Sequence, residues 1–327
     1  MLLRFNNLSL FNPNHWIQHS KGGNQMNVGF IGLGAMGFPM AQRVLSGGHK
    51  ICTTFHRRRE PADELCALGA EILASPGEVA RVADVVITIL PADAELKEVI
   101  FGTSGIMTSF SPGKTLIEMT SATPGIMQEI EVAVKAAGGL VLDAPVSGGT
   151  PAATQGTLTI MVGGDQALLD RFQPLLQIMG TRIVHVGNVG QGKLVKIVNQ
   201  MMAAIHLLTI GEAFALGVKS GADPNILYEV IKNSSGYSKM MDLRLPGFLL
   251  EGKFQPGFKL DLMKKDVGLA IESARALGVP LFLASTAAQV FAAASAAGAG
   301  DEDFSAAARL LAALAGVELH HTEPRAV

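Results

Sequence analysis

Two textures of apolar and polar positions divide the chain. Up to about residue 190, short apolar runs alternate with segments of helical period. Asn27-Val-Gly-Phe-Ile-Gly32 predicts a strand ending on glycine, and a helical stretch follows through Val44-Leu45 until Gly47-Gly48 stops it. Residues 50–55 predict a second strand, and residues 61–68 a helix closed by Gly69. Residues 85–90 form an unbroken apolar run ended by Pro91, the pattern of a strand covered on both faces. Further strands are predicted over 115–119, 140–142, 158–162 and 183–186, with helices over 126–137 and 165–179. This alternation predicts βαβ units and a mostly parallel, doubly wound sheet, an α/β Rossmann domain.

From Gly192 onward strand signals stop. Helical patterns cover about 193–219, 225–232, 260–277, 281–297 and 304–314, with Asp223-Pro224 as a helix start. We therefore expect an α/β domain over 26–190 and an all-α domain over 191–327. The apolar stretch 194–210 contains Lys196, Asn199, Gln200 and His206. Such residues are costly in lipid, so the stretch is read as a buried central helix with no membrane partner. Residues 1–25 are polar and aperiodic, and Met26 stands directly before the first strand. They read as a disordered tail or a mis-called start, with an apolar patch too brief for a signal peptide.

At 327 residues the chain has length for about two domains, and 48% hydrophobic with 17% charged residues excludes a disordered chain. A net charge of −2 argues against nucleic-acid binding. Cys52 and Cys66 make neither a disulfide framework nor a metal motif. Both read as small buried hydrophobes in a reducing, cytoplasmic setting, and no metal site is expected.

Gly32-Leu33-Gly34-Ala35-Met36-Gly37 matches the G-x-G-x-x-G fingerprint and sits between a predicted strand and helix, the context a dinucleotide site requires. The first glycine permits the turn, the second a close approach of pyrophosphate to backbone, the third close helix–strand packing. An NAD site places an acid about 20 residues later, on the ribose 2′-hydroxyl. Here the second strand ends in Phe55-His56-Arg57-Arg58-Arg59. Guanidinium groups there pair a 2′-phosphate, so NADP(H) is expected over NAD(H), which stays the alternative cofactor.

Four blocks carry a resemblance extending from about Met26 to Leu319: Gly29-Phe-Ile-Gly-Leu-Gly-Ala-Met-Gly-Phe-Pro-Met-Ala41; Asp143-Ala-Pro-Val-Ser-Gly-Gly149 with Gly156-Thr-Leu-Thr-Ile-Met-Val-Gly-Gly164; Gly190-Gln-Gly-Lys-Leu-Val-Lys-Ile-Val-Asn-Gln200; and Phe258-Lys-Leu-Asp-Leu-Met-Lys-Lys-Asp266. In this order and spacing they resemble the β-hydroxyacid dehydrogenase family, which includes 3-hydroxyisobutyrate dehydrogenases and tartronate, glyoxylate and succinic semialdehyde reductases. The resemblance implies a hydride transfer between a nicotinamide cofactor and a short hydroxy acid or semialdehyde.

Lys196 falls on the family's catalytic lysine. Independently of the name, Lys196, Asn199 and Gln200 share one helix face, and a lysine on an apolar helix is desolvated, which suits it to proton transfer near neutrality. The resemblance further implies Ser147, Gly148 and Gly149 as binders of a substrate carboxylate, with Asn199, Gln200, Phe258 and Asp266 beside the substrate. On the cofactor side it implies Leu90, Pro91, Thr120, Ser121 and Lys265. Family members more often carry Asn at the position of Gln200 and Ser-Thr where this chain has Thr120-Ser121. Glu118 stands where relatives often have Asp, and the resemblance gives it no role. A homodimer or homotetramer is expected from the family. The competing readings are an imine reductase, a phosphogluconate-type dehydrogenase and a non-enzymatic nucleotide-binding module. The presence of Lys196, and the lack of Arg or Lys around Ser147, weigh against them.

Overall fold

The computed structural model describes residues 25–320. Apart from Gln25, the expectation for residues 1–25 lies outside the described residues. The N-terminal part runs β1 (Asn27–Ile31), α1 (Gly37–Ser46), β2 (Lys50–Thr53), α2 (Glu60–Ala67), β3 (Glu71–Ile72), α3 (Pro76–Val82), β4 (Val85–Thr88), α4 (Asp93–Phe101), β5 (Thr115–Glu118), α5 (Pro124–Ala136), β6 (Leu140–Asp143), β7 (Val146–Ser147), α6 (Gly149–Gln155), β8 (Leu158–Gly163), α7 (Gln166–Met179) and β9 (Gly180–Gly187). The strands form one sheet in the order β3-β2-β1-β4-β5-β6-β8-β7, with β9 alongside β8. Pairings from β3 to β6 are parallel. The β6–β8 and β7–β8 contacts are antiparallel, and β8–β9 returns to parallel.

The doubly wound arrangement follows from apolar side chains on both faces of the strands. On one face Phe30 and Ile87 pack with Met40 and Val44 of α1 and Phe172 and Leu176 of α7. On the other, Ile31, Val86 and Leu116 pack with Val79 of α3, Leu96 of α4 and Ile130 of α5. Helix starts are capped by side chains: Ser75, Thr123 and Asp165 accept from the backbone N–H groups of Glu78, Ile126 and Leu168.

The expected strands and helices are present, with adjusted ends and five additions. β2 ends at Thr53 instead of residue 55, because its neighbour β3 offers only two pairing residues, opposite Cys52 and Thr53. β9 begins at Gly180, earlier than expected, since Leu158 of β8 pairs with it there. No bounds were predicted for α3, α4, α6, β3 and β7; the two-residue strands β3 and β7 are too brief for an alternation to stand out. Cys52 is buried as expected, whereas Cys66 is exposed. It lies on the outward side of α2, which buries only Ala62 and Leu65.

Beyond β9 every regular element among the described residues is helical: α8 (Gln191–Lys219), α9 (Pro224–Lys232), α10 (Lys239–Arg244), α11 (Leu260–Ala276), α12 (Phe282–Ala294) and α13 (Ala306–Leu314). α8 is the axis, in contact with α9, α10, α11, α12 and α13. At Gly211 a Cβ would lie 2.8 Å from the Ala308 Cβ, so glycine lets α8 and α13 cross closely. α12 stops at Ala294, short of the expected 297, and runs into a wide turn at Ser295–Ala299 where Gly298 has φ +95°. By length and composition α8 would pass for a membrane span. Its buried residues include Lys193, Lys196 and Gln200, which suits the core of a helical domain. The fold is thus a Rossmann-type α/β domain followed by an all-α domain.

Candidate active site

The strand order reverses between β1 and β4, and ligands of open α/β sheets bind in the crevice at such a point. The glycine loop leaves β1 there. Gly32 has φ +103°, and a Cβ on it would lie 2.0 Å from the Ile89 carbonyl oxygen. A Cβ on Gly37 would meet the Gly32 carbonyl oxygen at 1.8 Å. Both positions therefore exclude any side chain. At Gly34 nothing lies within 4 Å of the Cβ position, and no side chain caps the start of α1. Leu33 and Met36 are half-buried while Gly34 and Ala35 are exposed. This is an open cradle of backbone donors at a helix N-terminus, and it fits a dinucleotide pyrophosphate.

His56, Arg57 and Arg58 are exposed in the loop after β2. Arg59 pairs with Asp63 at 3.1 Å and lies over the Phe55 ring, but Arg57 and Arg58 make no ion pair among the described residues. Across the crevice, the Leu90 N–H donates to Thr120 Oγ1 at 2.9 Å, joining the loops that follow β4 and β5. Pro91 and Ser121 are tied by Lys265, whose Nζ donates to the Pro91 carbonyl at 3.0 Å and the Ser121 carbonyl at 2.7 Å. Lys265 thus reaches from α11 to the cofactor loops.

Lys196 sits in the second turn of α8 with 6% of its surface exposed. Its amine pKa is drawn down from 10.5 to about 8, chiefly by burial, with Asp266 opposing the shift and Lys265 adding to it. Gln200 lies one turn on. Its Nε2 donates to Asp266 Oδ2 at 2.9 Å, and its Oε1 accepts from Asn199 Nδ2 at 3.2 Å. Asp266 also lies 3.1 Å from Lys265 Nζ. The structure therefore gathers Lys196, Asn199, Gln200, Lys265 and Asp266 from α8 and α11 beside the segment 118–121. Both sides of the Gln200 amide have protein partners, which leaves the amide of exposed Asn199 the freer of the two.

Ser147 ends β7, opposite Thr159 of β8. Gly148 and Gly149 follow at φ +136° and +68°, so two consecutive residues occupy conformations that disfavour side chains. A Cβ on Gly149 would lie 3.7 Å from the Gly257 carbonyl oxygen, which brings the loop before α11, carrying Phe258, against this strip. Phe258 packs edge-on to Phe304, ring centres 6.1 Å apart. His185 lies exposed on β9, with Nε2 2.8 Å from the Gly164 carbonyl oxygen.

Residues 27–187 match a family model described as the NAD binding domain of 6-phosphogluconate dehydrogenase. Residues 190–311 match one described as the NAD-binding domain of NADP-dependent 3-hydroxyisobutyrate dehydrogenase. The chain is 37% identical to the 2-(hydroxymethyl)glutarate dehydrogenase of Eubacterium barkeri, over 90% of this chain and 97% of that one. It is 35% identical to the 2-hydroxy-3-oxopropionate reductase of Escherichia coli K12, over 90% of this chain and all of that one. Among solved structures, the 3-hydroxyisobutyrate dehydrogenase of Mycobacterium tuberculosis, with L-serine, superimposes with a TM-score of 0.82 at 33% identity, covering 88% of this chain and 99% of that one. The chain belongs to the β-hydroxyacid dehydrogenase family. It is an NAD(P)-dependent oxidoreductase acting on a hydroxyl group. Imine reductases share the fold at 16–23% identity.

Two clusters in this β-hydroxyacid dehydrogenase escaped the sequence reading. The first joins Glu118, Asp143 and Lys193, all fully buried. The second centres on Asp303, also fully buried, which accepts from the N–H groups of Gly257 and Phe258 at 3.1 Å each and from Ser305 at 3.0 Å. Arg244 approaches Asp303 at 3.0 Å between the Phe248 and Phe304 rings. Burial lowers the Arg244 pKa, and Asp303 counters it. Glu118, an acid inside an apolar strand, was the one sequence signal of the first cluster. Nothing local links Arg244 to Asp303, 59 positions later in the chain.

Proposed function

We propose that this enzyme is an NADP(H)-preferring reductase of short semialdehyde acids, with Lys196 as general acid in reduction and general base in the reverse oxidation. The observation that supports the reading is a buried amine, its pKa drawn down to about 8, on a turn of α8 that packs beside Asp266 and the loop-binding Lys265 of α11. Tartronate, succinic and methylmalonate semialdehydes and glyoxylate form the substrate class, each pairing a carbonyl with a carboxylate.

The pyrophosphate of the cofactor would rest on Gly32, Leu33, Gly34, Ala35, Met36 and Gly37, and its 2′-phosphate on Arg57, Arg58 and His56. When bound, the reduced nicotinamide supplies the hydride. Ser147 Oγ and the Gly148 and Gly149 N–H groups hold the substrate carboxylate, a nest of donors free of side chains. Phe258 walls the pocket. As hydride adds to the carbonyl carbon, charge builds on oxygen, and the Lys196 ammonium donates its proton there. The products are the hydroxy acid and oxidised cofactor. Asn199 Nδ2 bonds the same oxygen, while Gln200 and Asp266 keep Lys196 and α11 in register.

The residue division at 190/191, a cytoplasmic location and a homodimeric or homotetrameric state complete the proposal. Phe282 and Leu283, largely exposed at the start of α12, support a second copy as partner. The test is a spectrophotometric screen of NADPH oxidation with C2 to C4 semialdehydes, run in reverse with their hydroxy acids. Turnover confined to aldehydes lacking a carboxylate would refute the substrate class.

A further inference from the structure

We infer that Lys193 and Glu118 form a positioning pair that sets the first turn of α8, and with it Lys196, against the loops that hold the nicotinamide end of the cofactor. The inference rests on the reading of Lys196 given above. Both side chains are fully buried and ion-paired. Lys193 Nζ also donates to the Glu118 carbonyl oxygen at 2.8 Å, so a single ammonium grips both the backbone and the carboxylate of the last residue of β5. The Lys193 N–H donates to Asp143 Oδ2 at 2.9 Å, fixing the same turn to the end of β6.

Glu118 passes the constraint on. Its Oε1 accepts from the Thr120 N–H at 2.8 Å and lies 3.4 Å from Thr88 Oγ1, the last residue of β4. Thr120 in turn holds the Leu90 N–H. One carboxylate thus joins the ends of two adjacent central strands to the loops after them, while its partner lysine stands three residues before Lys196 on the same helix. That separation is about 4.5 Å along the axis, less than one turn.

Apolar packing holds α8 close to the sheet but is non-directional, whereas an ion pair with hydrogen bonds specifies which atoms must face each other. Burying two charges is a poor way to gain stability, since apolar replacements of similar volume serve as well or better. What a buried pair adds is direction: displacement of α8 leaves two uncompensated charges. The match of lengths also counts. Aspartate at 118 would be one methylene short of Lys193 and of the Thr120 N–H.

The test uses the full chain. Lys193→Met combined with Glu118→Gln removes the charges of the pair together, keeps side-chain volume, retains an oxygen for the Thr120 N–H and leaves the Asp143 carboxylate, itself free to take up a proton, its backbone donors at Lys193 and Gly190. The expected double variant melts within a few degrees of wild type and binds NADPH as tightly, yet loses about 10²-fold in kcat, the cost of a displacement near 1 Å at the reacting centre. Glu118→Asp, which keeps both charges, is expected to lose kcat similarly. Retention of kcat within twofold in either variant overturns the inference. Lys196→Ala in the same assay separates the two claims. If it retains turnover, the reading of Lys196 fails; if it loses turnover while the double variant keeps it, the positioning role fails. A readout independent of turnover is competitive acetylation of Lys196 with acetic anhydride across pH, followed by peptide mapping. The wild-type amine is expected to titrate near 8, and in the double variant to move toward 10.5 as water enters the loosened turn. An unmoved titration with normal labelling also overturns the inference.

Discussion

Gln200 on α8 donates its side-chain N–H to Asp266 on α11 across 2.9 Å, with both residues buried. The extra methylene of glutamine, where family members more often carry asparagine, is what spans that gap. The bond couples the helix of Lys196 to the helix whose Lys265 holds the cofactor loops. Gln200→Asn is expected to withdraw the donor and leave Asp266 short of a partner. An unmet buried acceptor costs about 1–3 kcal/mol of stability, so the melting temperature should fall, and the loosened link between α8 and α11 is expected to lower kcat/KM in steady-state kinetics. An unchanged kcat/KM would show that the bond does not tune the site.

Lys196→Ala removes the proton donor but leaves the glycine loop and the arginine loop intact. NADPH affinity, read by quenching of its fluorescence, is expected to hold, while kcat drops by about 10²–10⁴-fold. A drop smaller than about tenfold would mean that another group, or water, delivers the proton.

The depressed pKa of Lys196 sets the pH dependence. Reduction needs the ammonium, so kcat/KM for the aldehyde is flat below about 8 and declines above it; oxidation needs the free amine, so kcat/KM for the hydroxy acid declines below about 8. Stability moves with the same group. Below about 8 folding must bury an ammonium, and this penalty fades as pH rises from about 8 toward 10.5, where the unfolded chain also releases its proton. Lys196→Met is therefore expected to raise the melting temperature at pH 7, with a gain that shrinks at pH 10. Parallel pH profiles in both reaction directions would contradict this assignment.

Arg57 is exposed and carries no ion pair among the described residues, so its guanidinium is available to a 2′-phosphate. Arg57→Ala is expected to raise KM for NADPH by about tenfold or more, the scale of one charge-assisted bond, and to leave NADH unchanged. The check is the ratio of kcat/KM values for the two cofactors. Equal wild-type values would remove the preference itself.

Arg244 lies beside a fully buried carboxylate. Arg244→Ala leaves Asp303 without a cation, which costs about 3–5 kcal/mol and lowers the melting temperature by roughly 6 °C or more. Because Asp303 holds the backbone of Gly257 and Phe258, substrate KM is expected to rise in the same variant. Calorimetry and a KM series test the two effects separately.

Several features were legible in the chain because they are local. An unbroken apolar run at 85–90, glycines at 32, 34 and 37, and Lys196 with the amides of Asn199 and Gln200 on one face of α8 each declare themselves over a few positions. What escaped was short or relational. β3 and β7 have two residues each, too few for an alternation to register. Glu118 and Lys193 are 75 positions apart, and neither asks for the other until β5 and α8 are packed together.

The sequence by itself determined the alternation of strand and helix, the cradle for a dinucleotide, the arginines that follow β2 and the placing of Lys196 on an apolar helix, because period, backbone freedom and charge act within a turn or a strand. Only the tertiary structure decided how far the Lys196 pKa falls, which carboxylate faces which ammonium, and how the Phe258 loop meets Gly149. Those depend on how much water the packed helices exclude and on distances between side chains that no local pattern encodes.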